Sequence, residues 1–90
     1  MIVLGIETSC DETSLSIINE DNYLMSNVIV SQHSTHSQHG GIIPELASRQ
    51  HIINIEDAFE KCLKDASVNL NDISVIGVTN GPGLIGSLIV

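Results

Sequence analysis

Ninety residues make room for one small domain with a modest core. With 42% hydrophobic and only 16% charged residues, and a mean hydropathy of +0.25, the chain is too apolar to stay disordered. Acids outnumber Lys61, Lys64 and Arg49 enough to leave a net charge of −8, which excludes an autonomous nucleic-acid binder; any RNA would need positive charge from elsewhere.

The N-terminus is not a signal peptide, because Met1-Ile2-Val3-Leu4 runs directly into Gly5 and Glu7 with no basic region and no long apolar stretch. Ile2–Glu7 is almost continuously apolar and reads as a strand buried on both faces. A polar turn follows, Ser9-Cys10-Asp11-Glu12, where a plain hairpin would carry Asn-Gly or Asp-Gly. Its backbone N–H groups and hydroxyls can wrap an anion, and its carboxylates can meet a metal ion or take a proton. Asp11 and Glu12 are adjacent, so in extended backbone they point to opposite faces and at most one meets a ligand closely. A solvated hairpin turn is the plainer reading of the pair. Cys10 as a nucleophile would need a base that the sequence does not assign; a small packed residue suits it equally.

Residues 13–18 form a second strand, 19–22 a turn, and 23–30 a third strand, giving an antiparallel meander. Residues 31–41 are a polar loop holding His33, His36 and His39, with His51 further on. Histidine is a common metal ligand, but this spacing in a loop does not converge the rings on one centre. Solvated or loop-anchoring histidines are expected instead.

Pro44 suits the first turn of a helix and Glu45 its positive end. Ile55, Phe59, Cys62, Leu63 and Ala66 then recur at helical spacing, predicting a helix over residues 44–66. Glu45 and Arg49 are either an exposed i,i+4 pair or, together with His51, the lining of a cleft; spacing does not choose. Residues 73–79 are an apolar strand that pairs parallel to the first after this helical crossover. Asn80-Gly81-Pro82-Gly83 then turns into a helix starting at Leu84. Gly81, Gly83 and Gly86 match a dinucleotide fingerprint, but the preceding meander argues against it, and Ser87 replaces the lysine of a P-loop. No apolar run approaches the ~20 residues that span a bilayer, and two cysteines are no disulfide framework, so a reduced cytoplasm is the expected compartment.

Three blocks, GIETSCDETS at 5–14, GGIIPELASRQH at 40–51 and TNGPGLIGSL at 79–88, together resemble the N-terminal region of the TsaD family, also called Gcp and earlier regarded as an O-sialoglycoprotein endopeptidase. The SCDET form is similar to the bacterial and mitochondrial branch. The resemblance implies an actin-like ATPase (ribonuclease-H-like) α/β fold, with residues 1–90 as the N-terminal part of its first subdomain: three-stranded meander, helix, parallel strand and the start of a second helix. It implies transfer of threonylcarbamoyl from threonylcarbamoyl-AMP to N6 of adenosine 37 in tRNAs reading ANN codons. Asp11 and Glu12 would be the catalytic candidates, and Ser9, Asn80, Gly81 and Gly83 would line the substrate. One divalent metal ion (Fe, Zn or Mg) and an adenylate or ATP are implied, as are TsaB-like and TsaE-like partners with tRNA reached through the complex.

The family's H-x-x-x-H pair, metal-ligating Asp and adenylate-binding glycines would follow Val90, so no metal ligand is expected within this chain. The 90-residue piece is expected to be truncated, inactive alone, and prone to self-associate through its bare sheet edge or C-terminal helix. A non-catalytic module like TsaB is the alternative, although TsaB lacks the SCDET and PELASR blocks. A metalloprotease would want an H-E-x-x-H that is not present.

Overall fold

The computed structural model describes residues 1–32 and 36–90 of the chain. Strands β1 (Ile2–Glu7), β2 (Glu12–Asn19) and β3 (Leu24–Ser31) form the meander, helix α1 covers Pro44–Ala66, and β4 is Val75–Val78. A short 3-10 turn at Leu70–Asp72 precedes β4, and helix α2, Ile85–Ile89, follows it. The sheet order is β3-β2-β1-β4. β1 runs antiparallel to β2 and parallel to β4, as the helical crossover requires.

Helix α1 has the predicted bounds. Pro44 supplies the preset φ and lacks only an N–H that would have no helical partner. At the other end Ser67 adopts the left-handed conformation, φ 57°, and its N–H caps the carbonyls of Leu63 and Lys64. The buried face runs through Ala47, His51, Ala58, Cys62 and Ala66. The small side chains of Ala58, Cys62 and Ala66 let the helix lie close against Leu4, Leu15, Ile17 and Val28 of the sheet. Ser26 hooks the two layers together by donating its hydroxyl to the Cys62 carbonyl at 2.8 Å.

Several expectations shift. Only Leu4 of β1 is fully buried; the other residues of the strand remain half exposed because the helices pack on one face of the sheet. Glu12 opens β2 instead of closing the turn, pairing with Ser31. Tyr23 falls outside β3 because Asn19 closes the 19–23 turn on itself. Its Oδ1 accepts the Asp21 and Tyr23 N–H groups, and Asn22 takes φ 60°. The strand expected over 73–79 is shorter, since the Asn69–Asp72 capping box fixes a 3-10 turn just before it. Its flanks still join the ladder, with Ser74 N–H on the Ile2 carbonyl (2.8 Å) and Thr79 N–H on the Ile6 carbonyl (3.2 Å).

Candidate functional site

The turn between β1 and β2 is held from three sides. Beneath it, the Leu84 N–H donates to the Ser9 carbonyl at 2.7 Å, docking the Gly81-Pro82-Gly83 turn onto the Ser9 backbone. A side chain at Gly83 has no room: its Cβ would stand 2.6 Å from the Ser9 carbonyl oxygen and 2.7 Å from the Ser9 Cβ. Glycine is therefore required here by close approach of two backbones.

From α2, the Ser87 hydroxyl donates to the Cys10 carbonyl at 3.2 Å, while the buried Thr8 hydroxyl donates back to the Ser87 carbonyl at 2.9 Å. From α1, His51 reaches the same carbonyl with Nε2 at 2.7 Å, and its Nδ1 lies 2.7 Å from the Thr13 hydroxyl. A carbonyl only accepts, so Nε2 carries the hydrogen, and in the neutral ring the Nδ1 lone pair takes the Thr13 O–H. His51, Thr13 and Ser87 are each 0% exposed, which makes this a dry polar network with every member paired.

On the open side of the turn sits Glu7. Its Oε1 accepts the Ser9 N–H at 2.6 Å and also the Ser9 hydroxyl. Burial by itself would raise the Glu7 pKa. The hydrogen bonds from Ser9 and Thr79 outweigh it and hold the carboxyl below its ordinary range. The donors that suit an anion therefore engage a carboxylate of the chain itself. Glu7 also lines a cleft of about 410 Å³ on the sheet face away from α1, floored by Gly5 and Gly77 and edged by Ser14, Ser16 and Thr79. The cleft lies at the carboxyl ends of the parallel β1–β4 pair, where ligands of open α/β sheets gather.

Asp11 and Glu12 part company, as their adjacency predicts. Asp11 is half-buried and lines a second cleft of about 390 Å³ with His36, Ser37, Gly40, Gly41 and Ile42, whereas Glu12 is exposed. Asn80 and Gly81 are exposed beside Thr79. Cys10 has its thiol pKa pushed up by burial and by the Asp11 charge, which disfavours a thiolate nucleophile.

Glu45 and Arg49 form an exposed i,i+4 ion pair at 2.6 Å, and His51 is turned away from them into the core. His36 anchors the loop: Nε2 lies 2.6 Å from the Gln32 Oε1, and Nδ1 accepts the Ile43 N–H at 3.1 Å. His39 is exposed, and His33 lies outside the described residues. With both ring nitrogens of His36 and of His51 engaged, neither can ligate a metal. Among the described residues no three His, Cys, Asp or Glu side chains come together to hold one. The described residues do not fit a metal ion.

Neither Glu7 nor the network of Thr8, Cys10, Thr13, His51 and Ser87 is marked as a unit by the sequence. A signal existed for His51: it shares the helix face of Ala47, Ala58, Cys62 and Ala66, a register reserved for buried residues.

A family model described as "TsaD: tRNA N6-adenosine threonylcarbamoyltransferase" matches residues 23–90. Proteins named tRNA N6-adenosine threonylcarbamoyltransferase from Syntrophus aciditrophicus and Fusobacterium nucleatum are similar, 52% and 50% identical over 90 residues. The matches cover 100% of this chain but 27% and 26% of those proteins, so the chain spans about a quarter of the length of the curated relatives it matches. Among solved structures, YeaZ from Pseudomonas aeruginosa superposes with a TM-score of 0.62 at 18% identity, over 99% of this chain and 35% of that one. An uncharacterized protein with similarity to peptidase YEAZ from Pseudomonas aeruginosa gives 0.65 at 18% identity, over 98% of this chain and 33% of that one. At that identity the likeness concerns the fold alone: a mixed α/β domain with a meander sheet and flanking helices.

Proposed function

The chain belongs to the TsaD family of tRNA-modifying transferases, and we propose that it forms one lip of the active-site cleft of a tRNA N6-adenosine threonylcarbamoyltransferase. It would do so as the N-terminal part of the first subdomain of an actin-like, ribonuclease-H-like fold. The observation that carries this reading is the docking of the Gly81-Pro82-Gly83 turn onto Ser9 through Leu84 N–H, which joins two separate family blocks into one surface.

On this reading the substrate is threonylcarbamoyl-AMP, and the acceptor is N6 of adenosine 37 in tRNAs reading ANN codons. The amine attacks the carbamoyl carbon, the new C–N bond forms, the bond to the phosphate oxygen breaks, and AMP leaves. Asp11, half-buried beside a cleft, is better placed than the exposed Glu12 to take the N6 proton. Glu12 then stands at the rim. Ser9, Asn80, Gly81 and Gly83 make the wall along which the adenylate lies, with Gly83 setting its closeness to the turn. The family's divalent metal would be held by residues other than those described. Partners similar to TsaB and TsaE, and tRNA reached through that complex, complete the proposal. The net charge of −8 suits a chain that leaves tRNA binding to other surfaces.

Incubation of a full-length transferase that begins with these 90 residues, with TsaB-like and TsaE-like partners, tRNA and threonylcarbamoyl-AMP, tests this, read by mass spectrometry of digested nucleosides. Threonylcarbamoyladenosine should form at position 37, and Asp11→Asn should slow it by about 10²-fold, the usual scale for a lost general base. No modified nucleoside from that transferase in its unaltered form would overturn the reading.

A further inference from the structure

We propose that His51 is a positioning residue for the β1–β2 turn, fixing where Asp11 stands by gripping the turn at both of its ends; this rests on the transferase reading above. The grip is specific. Nε2–H holds the Cys10 carbonyl on the residue just before Asp11, and Nδ1 holds the hydroxyl of Thr13, two residues after it. Between those two contacts lie only Asp11 and Glu12. Among the described residues the imidazole is the one group on α1 hydrogen-bonded to the turn in this way, and it is wholly buried, so no water competes for either nitrogen.

The direction of each bond matters. The Cys10 carbonyl also accepts the Ser87 hydroxyl, so its acceptor sites are filled and the peptide plane before Asp11 cannot rotate without breaking two bonds. Thr13 begins the buried register of β2, pairing across to Val30, so its hydroxyl is anchored to the sheet. His51 thereby ties the turn's free segment to a rigid helix and a rigid strand at once. Side chains that do chemistry need this kind of supporting shell, because an ångström of displacement is enough to slow a reaction.

The test uses a full-length transferase that begins with these 90 residues, together with its partners. His51→Leu, similar in size but without either nitrogen, should lower kcat at least tenfold and leave KM for tRNA within about twofold. His51→Gln, which keeps a donor near the Nε2 position, should recover most of the loss. Should His51→Leu fail to fold, Thr13→Val removes only the hydroxyl partner of Nδ1 and should lower kcat severalfold, with Thr13→Ser restoring it. Imidazole nitrogen NMR of the unaltered protein should show the hydrogen on Nε2 and a bare Nδ1, with the Nδ1 resonance shifted in Thr13→Val. Folded His51→Leu or Thr13→Val with unchanged kcat, or a hydrogen on Nδ1, overturns the proposal alone. An inactive unaltered full-length transferase overturns the transferase reading and, with it, the positioning role.

Discussion

At Gly83 and Glu7 the turn depends on single atoms. Gly83→Ala would drive a Cβ to within 2.6 Å of the Ser9 carbonyl oxygen, backbone that cannot swing aside as a side-chain tip can. Overpacking of this kind costs about 1–3 kcal/mol, so the urea midpoint should fall accordingly with an unchanged m-value. An unshifted midpoint would show that the two turns do not touch. Glu7 has its folded pKa lowered, so the stability it contributes is present above the ordinary carboxylate range and lost as pH falls through the lowered value. Tm should therefore drop on acidification more steeply in the unaltered protein than in Glu7→Gln; parallel curves would count against the Ser9–Glu7 contact. Residue identity told much about this region, since Gly83 and the polar turn were marked from the sequence alone. Glu7 was not: as the last residue of an apolar strand it read as a strand end, and only the Ser9 N–H folded back on it makes it the turn's own anion.

Helix α1 is where local signals and tertiary packing agree most fully. Pro44, Glu45 and the spacing of Ile55, Phe59, Cys62, Leu63 and Ala66 mark its span from within the helix. Its C-terminus is less predictable, because Ser67 occupies a left-handed position that glycine fits better. Ser67→Gly is expected to raise stability by about 0.5–1 kcal/mol by relieving that backbone cost. A destabilised variant in urea titration would contradict this. Arg49→Ala, by contrast, removes only an exposed pair and should change stability by no more than about 0.5 kcal/mol. The strands show the opposite balance. Apolar content predicts that β1 and β4 exist, but how long they run and which face is covered follow from partners distant in sequence. β4 shortens to Val75–Val78 because the 3-10 turn at Leu70–Asp72 sets its approach, a capping effect among polar residues that hydrophobic patterning does not register.

Across the whole molecule, apolar surface is left exposed at several places, β4 and α2 among them. Val75, Ile76 and Val78 of the β4 edge, Ile85 and Ile89 of α2, and Leu70 are all exposed. Among the described residues β4 has a hydrogen-bonded neighbour only on its β1 side. An unpaired apolar edge is a template for another strand, so the chain by itself should self-associate. Sedimentation velocity should show mass rising with concentration, and Val78→Lys or Ile89→Lys should suppress it. A monomer at every concentration would remove this expectation.

The sequence by itself determined the order of elements, the span of α1, the parallel pairing of β4 with β1 and membership of the TsaD family. Each of these rests on patterns local to a segment or on motifs read in order. The tertiary structure alone decided that Thr8, Cys10, Thr13, His51 and Ser87 meet in one dry network around the turn. Those residues lie as many as 79 positions apart, and hydrogen bonds carry no periodicity along the chain. They form only once the helix and the Gly81-Pro82-Gly83 turn are brought against the sheet.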